Sequence, residues 1–236
     1  MDRPDVADVQ QAAALHLRDV RFAYPSTGFA LHVPEFDLAA GAHAFLRGPS
    51  GSGKTTLLGL ATGLLLADAG QVSVAGTPMP MRPALRDRLR ADAIGVIHQQ
   101  FNLLPYLDTV SNVLLPLAFG RGPVAPSVAV DLLLRLGVPE GVHRAQARTL
   151  SVGQQQRVAI ARALIGSPRL IVADEPTSAL DADTRDAFLD VLFENAAAIG
   201  AAILLVSHDP DIARRFARAH DLRDIARAGT PAELDP

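Results

Sequence analysis

The sequence contains no cysteine and only one lysine among its 22 basic residues. The absence of cysteine excludes disulfides and cysteine metal sites, and it fits a reducing compartment. The formal net charge is -3, so the composition does not indicate nucleic acid as the main partner. The uncharged, strongly apolar runs 57–67 and 196–206 have 11 residues each. Because a spanning helix needs about 20 residues, we expect that this chain does not cross a membrane by itself.

The length of 236 residues and the hydrophobic content of 49% are enough for one large domain, or for a core with a subdomain. We expect residues 1–14 to form a loose leader and residues 15–236 to form one domain. Short apolar patches predict a small antiparallel sheet, at 15–24, 31–33 and 71–75. Buried strands of an α/β core are predicted by apolar runs, at 94–97, 170–173 and 203–206.

Between residues 100 and 166 the pattern changes from short strands to helices. Apolar-periodic segments separated by Gly/Pro loops predict helices, at 110–119, 128–136 and 155–165. A further helix is predicted at 184–198, between two buried strands. The sequence therefore predicts an α/β core that carries a helical insertion over about 100–166.

The lone lysine lies in a glycine-rich segment that fits the spacing G-x-x-x-x-G-K-[ST] of a phosphate-binding loop. The segment reads Gly48-Pro49-Ser50-Gly51-Ser52-Gly53-Lys54-Thr55-Thr56. An apolar run at 42–46 predicts a strand before the loop, and an apolar-periodic stretch at 55–66 predicts a helix after it. This strand–loop–helix order is the context that such a loop requires.

The residue types of this loop suit a nucleoside triphosphate that carries Mg²⁺. Gly48, Gly51 and Gly53 permit positive φ values, so several backbone N–H groups can turn toward one point. The helix N-terminus adds a partial positive charge. Lys54 would place a compact cation on the outer phosphates, and Thr55 would offer a hydroxyl to Mg²⁺. The alternative is a glycine-rich turn before a core helix.

Two acidic residues, Asp174 and Glu175, directly follow the apolar run 170–173. In nucleotide hydrolases with a phosphate-binding loop, an Asp at this strand end holds the Mg²⁺ shell. An adjacent Glu can orient and deprotonate the attacking water. The alternative is a strand terminus that is followed by a polar cap.

Six segments within roughly residues 15–215 resemble the motifs of the ATP-binding subunits of ABC transporters, and their order along the chain and their spacing are those of the family. Two are the phosphate-binding loop and the Asp174-Glu175 segment, which continues as Pro176-Thr177-Ser178-Ala179-Leu180-Asp181 and is similar to the family's Walker B and D-loop. The other four are Tyr24, similar to the adenine-stacking aromatic; Gln99, similar to the Q-loop residue; Leu150-Ser151-Val152-Gly153-Gln154, similar to the signature loop; and Ser207-His208-Asp209, similar to the switch histidine segment.

The resemblance implies an α/β fold, with a P-loop NTPase core, a small antiparallel β subdomain and an inserted α-helical subdomain. It implies ATP and Mg²⁺ as cofactors, with Thr55, Gln99 and Asp174 serving the metal directly or through water. Glu175 would be the general base, and His208 would contact the γ-phosphate. Nucleotide binding would fall to Tyr24, Gly48, Pro49, Ser50, Gly51, Ser52, Gly53, Lys54, Thr55, Thr56 and Gln99. An ordinary strand aromatic at 24 and a surface or core histidine at 208 are the alternatives.

The resemblance also implies a homodimer of ATPase domains, in which each ATP lies between two subunits. Ser151, Val152, Gly153 and Gln154 would contact the ATP of the other subunit, and Asp181 would lie at the subunit seam. Val152 stands where the family has glycine, and a β-branched residue tolerates positive φ poorly. Either this position has an ordinary α or β conformation or the loop is distorted, and we favour the first.

Two further departures from the family pattern lie outside the signature loop. His98 stands where the family more often has an aromatic residue, and we favour a packed side chain over a catalytic role. The tail from 221 to 236 lacks the clear apolar strands that many relatives have there.

The partner that the resemblance implies is a separate membrane-spanning permease subunit, with this chain peripheral at the cytoplasmic face of the inner membrane. We expect the contact surface in the helical insertion, at 100–107 and 113–117, although an apolar patch there could be subdomain core. This block is similar to the lipoprotein-releasing and macrolide-exporter subgroup. Its Phe101-Asn102-Leu103 portion is also similar to amino-acid importers.

The leading functional hypothesis is an ATP-hydrolysing subunit that powers transport or extraction. The alternatives are an ATP-gated signalling module of a cell-division type complex and an amino-acid-type importer ATPase. A soluble ABC ATPase of DNA repair or translation is disfavoured, because the chain has no long coiled-coil insert and no tandem cassette. A P-loop kinase is disfavoured because it would not need the segment 150–154.

Overall fold

Two five-stranded sheets organise the computed structural model, which describes residues 13–120, 125–178 and 180–234. In chain order the strands are β1 (Leu15–Ala23), β2 (Ala30–Leu38), β3 (His43–Arg47), β4 (Ala69–Val74), β5 (Thr77–Pro78), β6 (Ile94–Ile97), β7 (Leu170–Asp174), β8 (Ala202–Val206), β9 (Arg218–Asp221) and β10 (Arg227–Gly229). The α-helices are α1 (Lys54–Ala61), α2 (Pro83–Ala93), α3 (Thr109–Leu114), α4 (Pro126–Arg135), α5 (Val152–Leu164), α6 (Ala182–Ala198), α7 (Pro210–Ala213), α8 (Leu222–Ile225) and α9 (Pro231–Leu234).

The first sheet has the order β10-β2-β1-β4-β5, and its pairings are antiparallel. On β1 the side chains of Leu15, Leu17 and Val20 are buried, whereas intervening residues are partly or fully exposed. The register places Leu17 opposite Phe36 and Val20 opposite Val33. One face of this sheet is therefore apolar and packs on the core, as alternation in an antiparallel sheet requires.

The second sheet has the order β6-β7-β8-β3-β9, and its pairings are parallel. Its central strands are apolar runs, and all five residues of β8 are buried. Strands of this kind are covered by helices on both faces, so they show no alternation. Their carboxyl ends meet at one edge, where the segments after β3, β6, β7 and β8 come together.

Between β6 and β7 the chain forms the helical insertion, made of α3, α4 and α5 with three 3₁₀ segments, Leu115–Phe119, Glu140–Val142 and Ala147–Thr149. Val113, Leu133 and Ile160 are fully buried and belong to one apolar cluster that continues into the parallel sheet. The predicted helix at 110–119 is split, since Pro116 lies in the first turn of the 3₁₀ segment and has no N–H to donate. The exact limits of the insertion and of the single domain 15–236 stay predictions.

The predicted helix at 55–66 is wrong at its end, because α1 stops at Ala61. The hydroxyl of Thr62 donates to the carbonyl of Leu58 at 2.7 Å, and Gly63 follows in the left-handed region with φ 69°. Leu65 then turns back and donates its N–H to the Gly59 carbonyl at 2.9 Å. The apolar pattern continues past Ala61 into a loop, in which Leu65 and Leu66 are partly buried whereas Leu64 is exposed.

In its described part the tail has no clear apolar strand, as predicted, but it contains the short strand β10. β10 pairs with β2 and extends the antiparallel sheet. β9, just before the tail, pairs with β3 at the edge of the parallel sheet. Arg218 and Ala219 of β9 and Arg227 and Ala228 of β10 are exposed. Both are edge strands held by backbone hydrogen bonds, so their composition carries no apolar signal.

The predicted leader, 1–14, falls mostly on residues 1–12, which lie outside the described residues. Ala14 is buried, and its N–H donates to the Leu38 carbonyl at 2.7 Å. Within the described ranges, no helix has the length and apolar character needed to span a membrane.

Candidate functional site

The glycine-rich loop connects β3 to α1 and is shaped by two glycines. Gly51 and Gly53 have φ values of 78° and 100°, in the region that disfavours other residues. A Cβ on Gly53 would also come within 2.9 Å of a Leu31 methyl carbon. Gly48 differs from the prediction, since it is not among the glycines with positive φ. At Gly48 the requirement is space, because a Cβ there would lie 2.7 Å from the Ser52 hydroxyl.

Lys54 is the first residue of α1, and its ammonium group is held at the loop. Nζ donates to the carbonyl of Gly48 at 2.7 Å and to that of Pro49 at 2.8 Å. Burial raises the pKa of Asp174, and the positive charge of Lys54 partly offsets that rise, so the two groups interact electrostatically. A cation at this place suits an anionic ligand bound at the helix N-terminus.

An aromatic wall adjoins this loop. Tyr24 and Phe29 line a cavity of about 340 Å³ together with Thr27, Gly51, Gly53, Lys54, Thr55 and Thr56. The ring of Phe22 meets the Tyr24 ring edge to face, with centroids 4.8 Å apart. Tyr24 and Phe29 have centroids 6.3 Å apart. The structure thus brings Tyr24 to the phosphate-binding loop, and it adds Phe29, which the sequence analysis did not single out.

At the carboxyl end of β7, Asp174 and Glu175 lie side by side. Burial raises the pKa of Asp174, and the negative charge of Glu175 raises it further, while Lys54 acts in the opposite direction. Glu175 has φ 44°, an uncommon conformation for a non-glycine residue. Its N–H donates to the Val206 carbonyl of β8 at 2.8 Å, which holds this strained residue in place.

His208 reaches the same place from the end of β8. Its Nδ1 lies 2.9 Å from Oε2 of Glu175. The imidazole side chain is 71% exposed and the carboxylate side chain is 19% exposed. The two predicted catalytic residues are therefore brought together, with the histidine as the outer, solvent-facing member.

Gln99 connects the end of β6 with the segment after Glu175. Its side-chain amide donates to the Ser178 hydroxyl at 3.1 Å. The predicted metal residues Thr55, Gln99 and Asp174 therefore come from three elements at the same sheet edge. The sequence indicates no role for Ser178, because motif spacing alone does not identify the partner of its hydroxyl.

These donors fit Mg²⁺, which prefers oxygen ligands and keeps several waters or phosphate oxygens in its shell. One carboxylate, one hydroxyl and one amide oxygen are offered by Asp174, Thr55 and Gln99. The described residues contain no group of three or more His, Cys, Asp or Glu that could hold a metal alone. A cation here would therefore need the oxygens of a bound phosphate chain, as expected for a nucleotide-borne Mg²⁺.

The predicted signature residues form the start of α5, away from this cavity. Ser151 is the N-cap: its hydroxyl accepts from the Gln154 N–H at 3.3 Å, and its own N–H donates to the Gln154 side chain at 2.9 Å. None of the described residues that line the 340 Å³ cavity comes from 151–154. Val152 is the first helical residue and is 59% exposed, in agreement with an ordinary backbone conformation.

Asp181 caps α6 at the end of the D-loop segment. Its carboxylate accepts from the Thr184 N–H at 2.9 Å and from the Thr184 hydroxyl at 2.8 Å. The bond from the Thr184 N–H is the main cause of a lowered pKa for Asp181. The spacing of Asp181 and Thr184 is typical of a helix start, a signal that the sequence analysis did not use.

Comparisons with known proteins found similarity over most of the chain. The family model described as ABC transporter matches residues 31–178. The lipoprotein-releasing system ATP-binding protein LolD of Anaeromyxobacter dehalogenans (strain 2CP-C) is 42% identical over 201 residues, which is 82% of each chain. A dimeric post-hydrolysis structure of the ATP-binding cassette MJ0796, bound to ADP and Pi, has a TM-score of 0.77 and 32% identity, covering 92% of this chain and 98% of that chain. CbiO1 from Clostridium perfringens, with a TM-score of 0.77 at 23% identity over 94% of this chain and 90% of that one, shares the fold. The predicted P-loop NTPase fold is thereby confirmed.

Proposed function

Since the chain belongs to the ABC transporter family, as an ATP-binding subunit, we propose that it hydrolyses ATP to power a separate membrane-spanning subunit that extracts or exports lipoproteins or related substrates. The observation that carries this proposal is the convergence of Lys54, the acidic pair after β7 and His208 at one sheet edge. The 42% identity to a lipoprotein-releasing ATPase supports the transport role and the substrate class.

In the proposed reaction, different residues of the site bind the base, the phosphates and Mg²⁺ and remove the proton from water. Tyr24 supplies a ring face on which the base stacks, and the loop N–H groups with Lys54 hold the phosphates. Mg²⁺, when bound with the nucleotide, would be held by Thr55, Asp174 and Gln99 and would offset the phosphate charge. Glu175 takes the proton from the water that attacks the γ-phosphate.

His208 and the second subunit complete the proposed site. His208 orients the Glu175 carboxylate and donates to the γ-phosphate as charge moves onto it. The signature residues 151–154 start a helix and do not line their own chain's cavity. The capping box does not use the N–H groups of Val152 and Gly153 or the proton of the Ser151 hydroxyl, so we propose that these donors contact an ATP bound by another copy. We therefore propose a two-fold homodimer, with Asp181 at the seam.

A second cavity beside the helical insertion is a candidate surface for the membrane subunit. This cavity, of about 370 Å³, includes three residues of the predicted contact segments, Asn102, Leu115 and Pro116. Leu64 and Phe119 also line it and are 63% and 61% exposed, whereas Val113 of the same segments is fully buried. Part of the predicted patch is thus subdomain core, and we propose that the remainder docks the permease. The chain would then lie peripherally at the cytoplasmic face of the membrane.

The test is co-purification of tagged Glu175→Gln protein from detergent-solubilised membranes with ATP, followed by mass spectrometry. A stoichiometric polytopic protein is expected, and its topology would separate exporter, importer and signalling complexes. The matched control adds Lys54→Ala to remove nucleotide binding. A soluble homodimer without a membrane partner would contradict the transport role.

A further inference from the structure

Arg162 is a half-buried arginine near the C-terminal end of α5. Burial lowers the pKa of its guanidinium, which is far too basic to lose its charge in any case. The group donates from one nitrogen to the Asn102 carbonyl at 2.7 Å and from the other to the Phe101 carbonyl. A buried cation is costly unless hydrogen bonds satisfy it, so these two carbonyls are specific partners rather than incidental ones.

The segment that accepts these bonds is strained. Phe101 and Asn102 have φ values of 57° and 47°, so two consecutive non-glycine residues adopt the left-handed conformation. Asparagine tolerates this region, whereas a bulky residue such as Phe101 does so rarely. Such a conformation persists only where the surroundings hold it. The guanidinium of Arg162 donates to both carbonyls and is the charged group among the contacts that hold this conformation.

This strained pair directly follows Gln100 and the predicted metal residue Gln99. The Phe101 N–H donates to the His98 carbonyl at 2.9 Å, closing a tight turn around Gln99. The Gln99 side chain in turn bonds Ser178 at the acidic strand end. The position of Gln99 therefore depends on the turn, and the turn depends on Arg162.

Arg162 belongs to the helix that begins with the signature residues. Ten residues separate Val152 from Arg162, which is about 15 Å along an α-helix. Because α5 is a single helix, any displacement of its N-terminus by a second subunit's nucleotide moves the Arg162 fork as well.

We infer that Arg162 is a positioning residue, which sets the Q-loop turn around Gln99 and couples it to the signature end of α5. It is not a catalytic residue, since it acts through Phe101 and Asn102. This inference rests on the proposed function in two respects, the assignment of Gln99 to the Mg²⁺ shell and the binding of a second subunit's nucleotide at the signature residues.

The chain offers a matched control on the same helix. Arg157 also donates to two backbone carbonyls, those of Leu136 at 3.2 Å and Gly137 at 2.9 Å. These carbonyls follow α4 and lie outside the Q-loop turn. Arg157→Gln therefore removes the same kind of interaction from the same helix without touching the turn.

The first measurement is the Mg²⁺ concentration that gives half-maximal ATP turnover. For Arg162→Gln we expect a rise of about tenfold, which is the size of effect expected when hydrogen bonds to a charged group are lost. The KM for ATP should change less than about twofold, because the phosphate-binding loop is untouched. Arg157→Gln should resemble the wild type in both values.

The second measurement needs no ATP. The chain has no tryptophan, and Gln100 is exposed, so Gln100→Trp introduces a single tryptophan beside Gln99, which can be excited at wavelengths that tyrosine does not absorb. When Arg162→Gln is combined with Gln100→Trp, the anisotropy of the tryptophan fluorescence should fall and its quenching by iodide should increase. Combining Arg157→Gln with Gln100→Trp should change neither quantity.

The Mg²⁺ concentration for half-maximal turnover and the tryptophan fluorescence must both change in Arg162→Gln, and neither may change in Arg157→Gln. If either readout is the same in the two variants, Arg162 does not position the turn around Gln99. Should Arg162→Gln fail to fold, Arg162→Lys decides by the same criteria, because it keeps the charge but loses the planar fork. Wild-type protein without ATPase activity would refute the proposed function, whereas the fluorescence readout would still test Arg162.

Discussion

Nδ1 of His208 and Oε2 of Glu175 are 2.9 Å apart at the ends of two neighbouring parallel strands. The pairing places an exposed imidazole over a carboxylate whose backbone is strained at φ 44°. Strain of this kind is retained where the surrounding bonds fix one orientation of a side chain. His208 thus lies beside the Glu175 carboxylate, and the backbone of Glu175 is held by the bond from its own N–H to the Val206 carbonyl.

Glu175→Gln should bind ATP with little change and lose turnover by about 10²- to 10⁴-fold, the range for loss of a general base. Glutamine is nearly isosteric and can still meet His208, so the loss isolates proton transfer. Single-turnover kinetics with nucleotide-binding titrations would measure both quantities. Turnover close to wild type would remove Glu175 from the role of base.

Lys54→Ala should weaken ATP binding by roughly 100-fold or more, because charge-assisted phosphate contacts are lost and the chain has no other lysine. Arg47→Ala is the control, since Arg47 ends β3 and pairs with Asp221 at 3.6 Å, outside the loop. Binding titrations with both variants would measure the difference. Equal affinities would count against the phosphate-binding role of the loop.

Tyr24→Ala should weaken ATP binding by about 1–3 kcal/mol, the usual worth of base stacking on an aromatic ring. Tyr24→Phe keeps the ring and should bind normally, because the recorded hydroxyl contact, with Thr56, is long at 3.5 Å. The same titrations with inorganic triphosphate, which has no base, should not distinguish the variants. A loss that appears equally with triphosphate would indicate an ordinary packing role.

Asp181→Ala should lower the urea midpoint of unfolding at neutral pH, because α6 loses its N-cap. The pKa of Asp181 is lowered in the folded state from an ordinary value of 3.8. The stabilisation from its charge is therefore fully present above about that value and is lost as the pH falls through the lower, folded-state pKa. The difference in urea midpoint between wild type and Asp181→Ala should therefore become smaller at acid pH.

Asp181→Asn is the control for this measurement, since asparagine caps well but does not titrate. Its midpoint relative to Asp181→Ala should stay constant over the same pH range. A wild-type advantage that is independent of pH would show that the Asp181 charge contributes nothing to stability.

Buried strands were predictable because parallel strands are uniformly apolar, as in Leu170–Asp174 and Ile94–Ile97. The edge strands Arg218–Asp221 and Arg227–Gly229 were not, since backbone pairing holds them and they contain no run of buried apolar side chains. The end of α1 was missed for a different reason: the apolar pattern continues through Leu64, Leu65 and Leu66, which follow the helix as a loop.

The candidate site was predictable as a set of motif residues, but not as a set of contacts. Spacing indicated Lys54, Asp174 and Glu175 because their chemistry depends on strand ends and a helix start. The approach of Phe29 to Tyr24 depends on tertiary packing. Motif spacing likewise carries no information about the hydrogen bond between Gln99 and Ser178, or about the hydrogen bonds that Arg162 donates to the turn after Gln99.

The solitary lysine makes the phosphate-binding loop chemically addressable. Apart from a terminal amine, a reagent that acylates amino groups has one side chain to attack, and that amine is held against the carbonyls of Gly48 and Pro49. Acylation of side chains would thus block each chain at Lys54 alone. Protection of Lys54 from the reagent would report ligand occupancy without any engineered label.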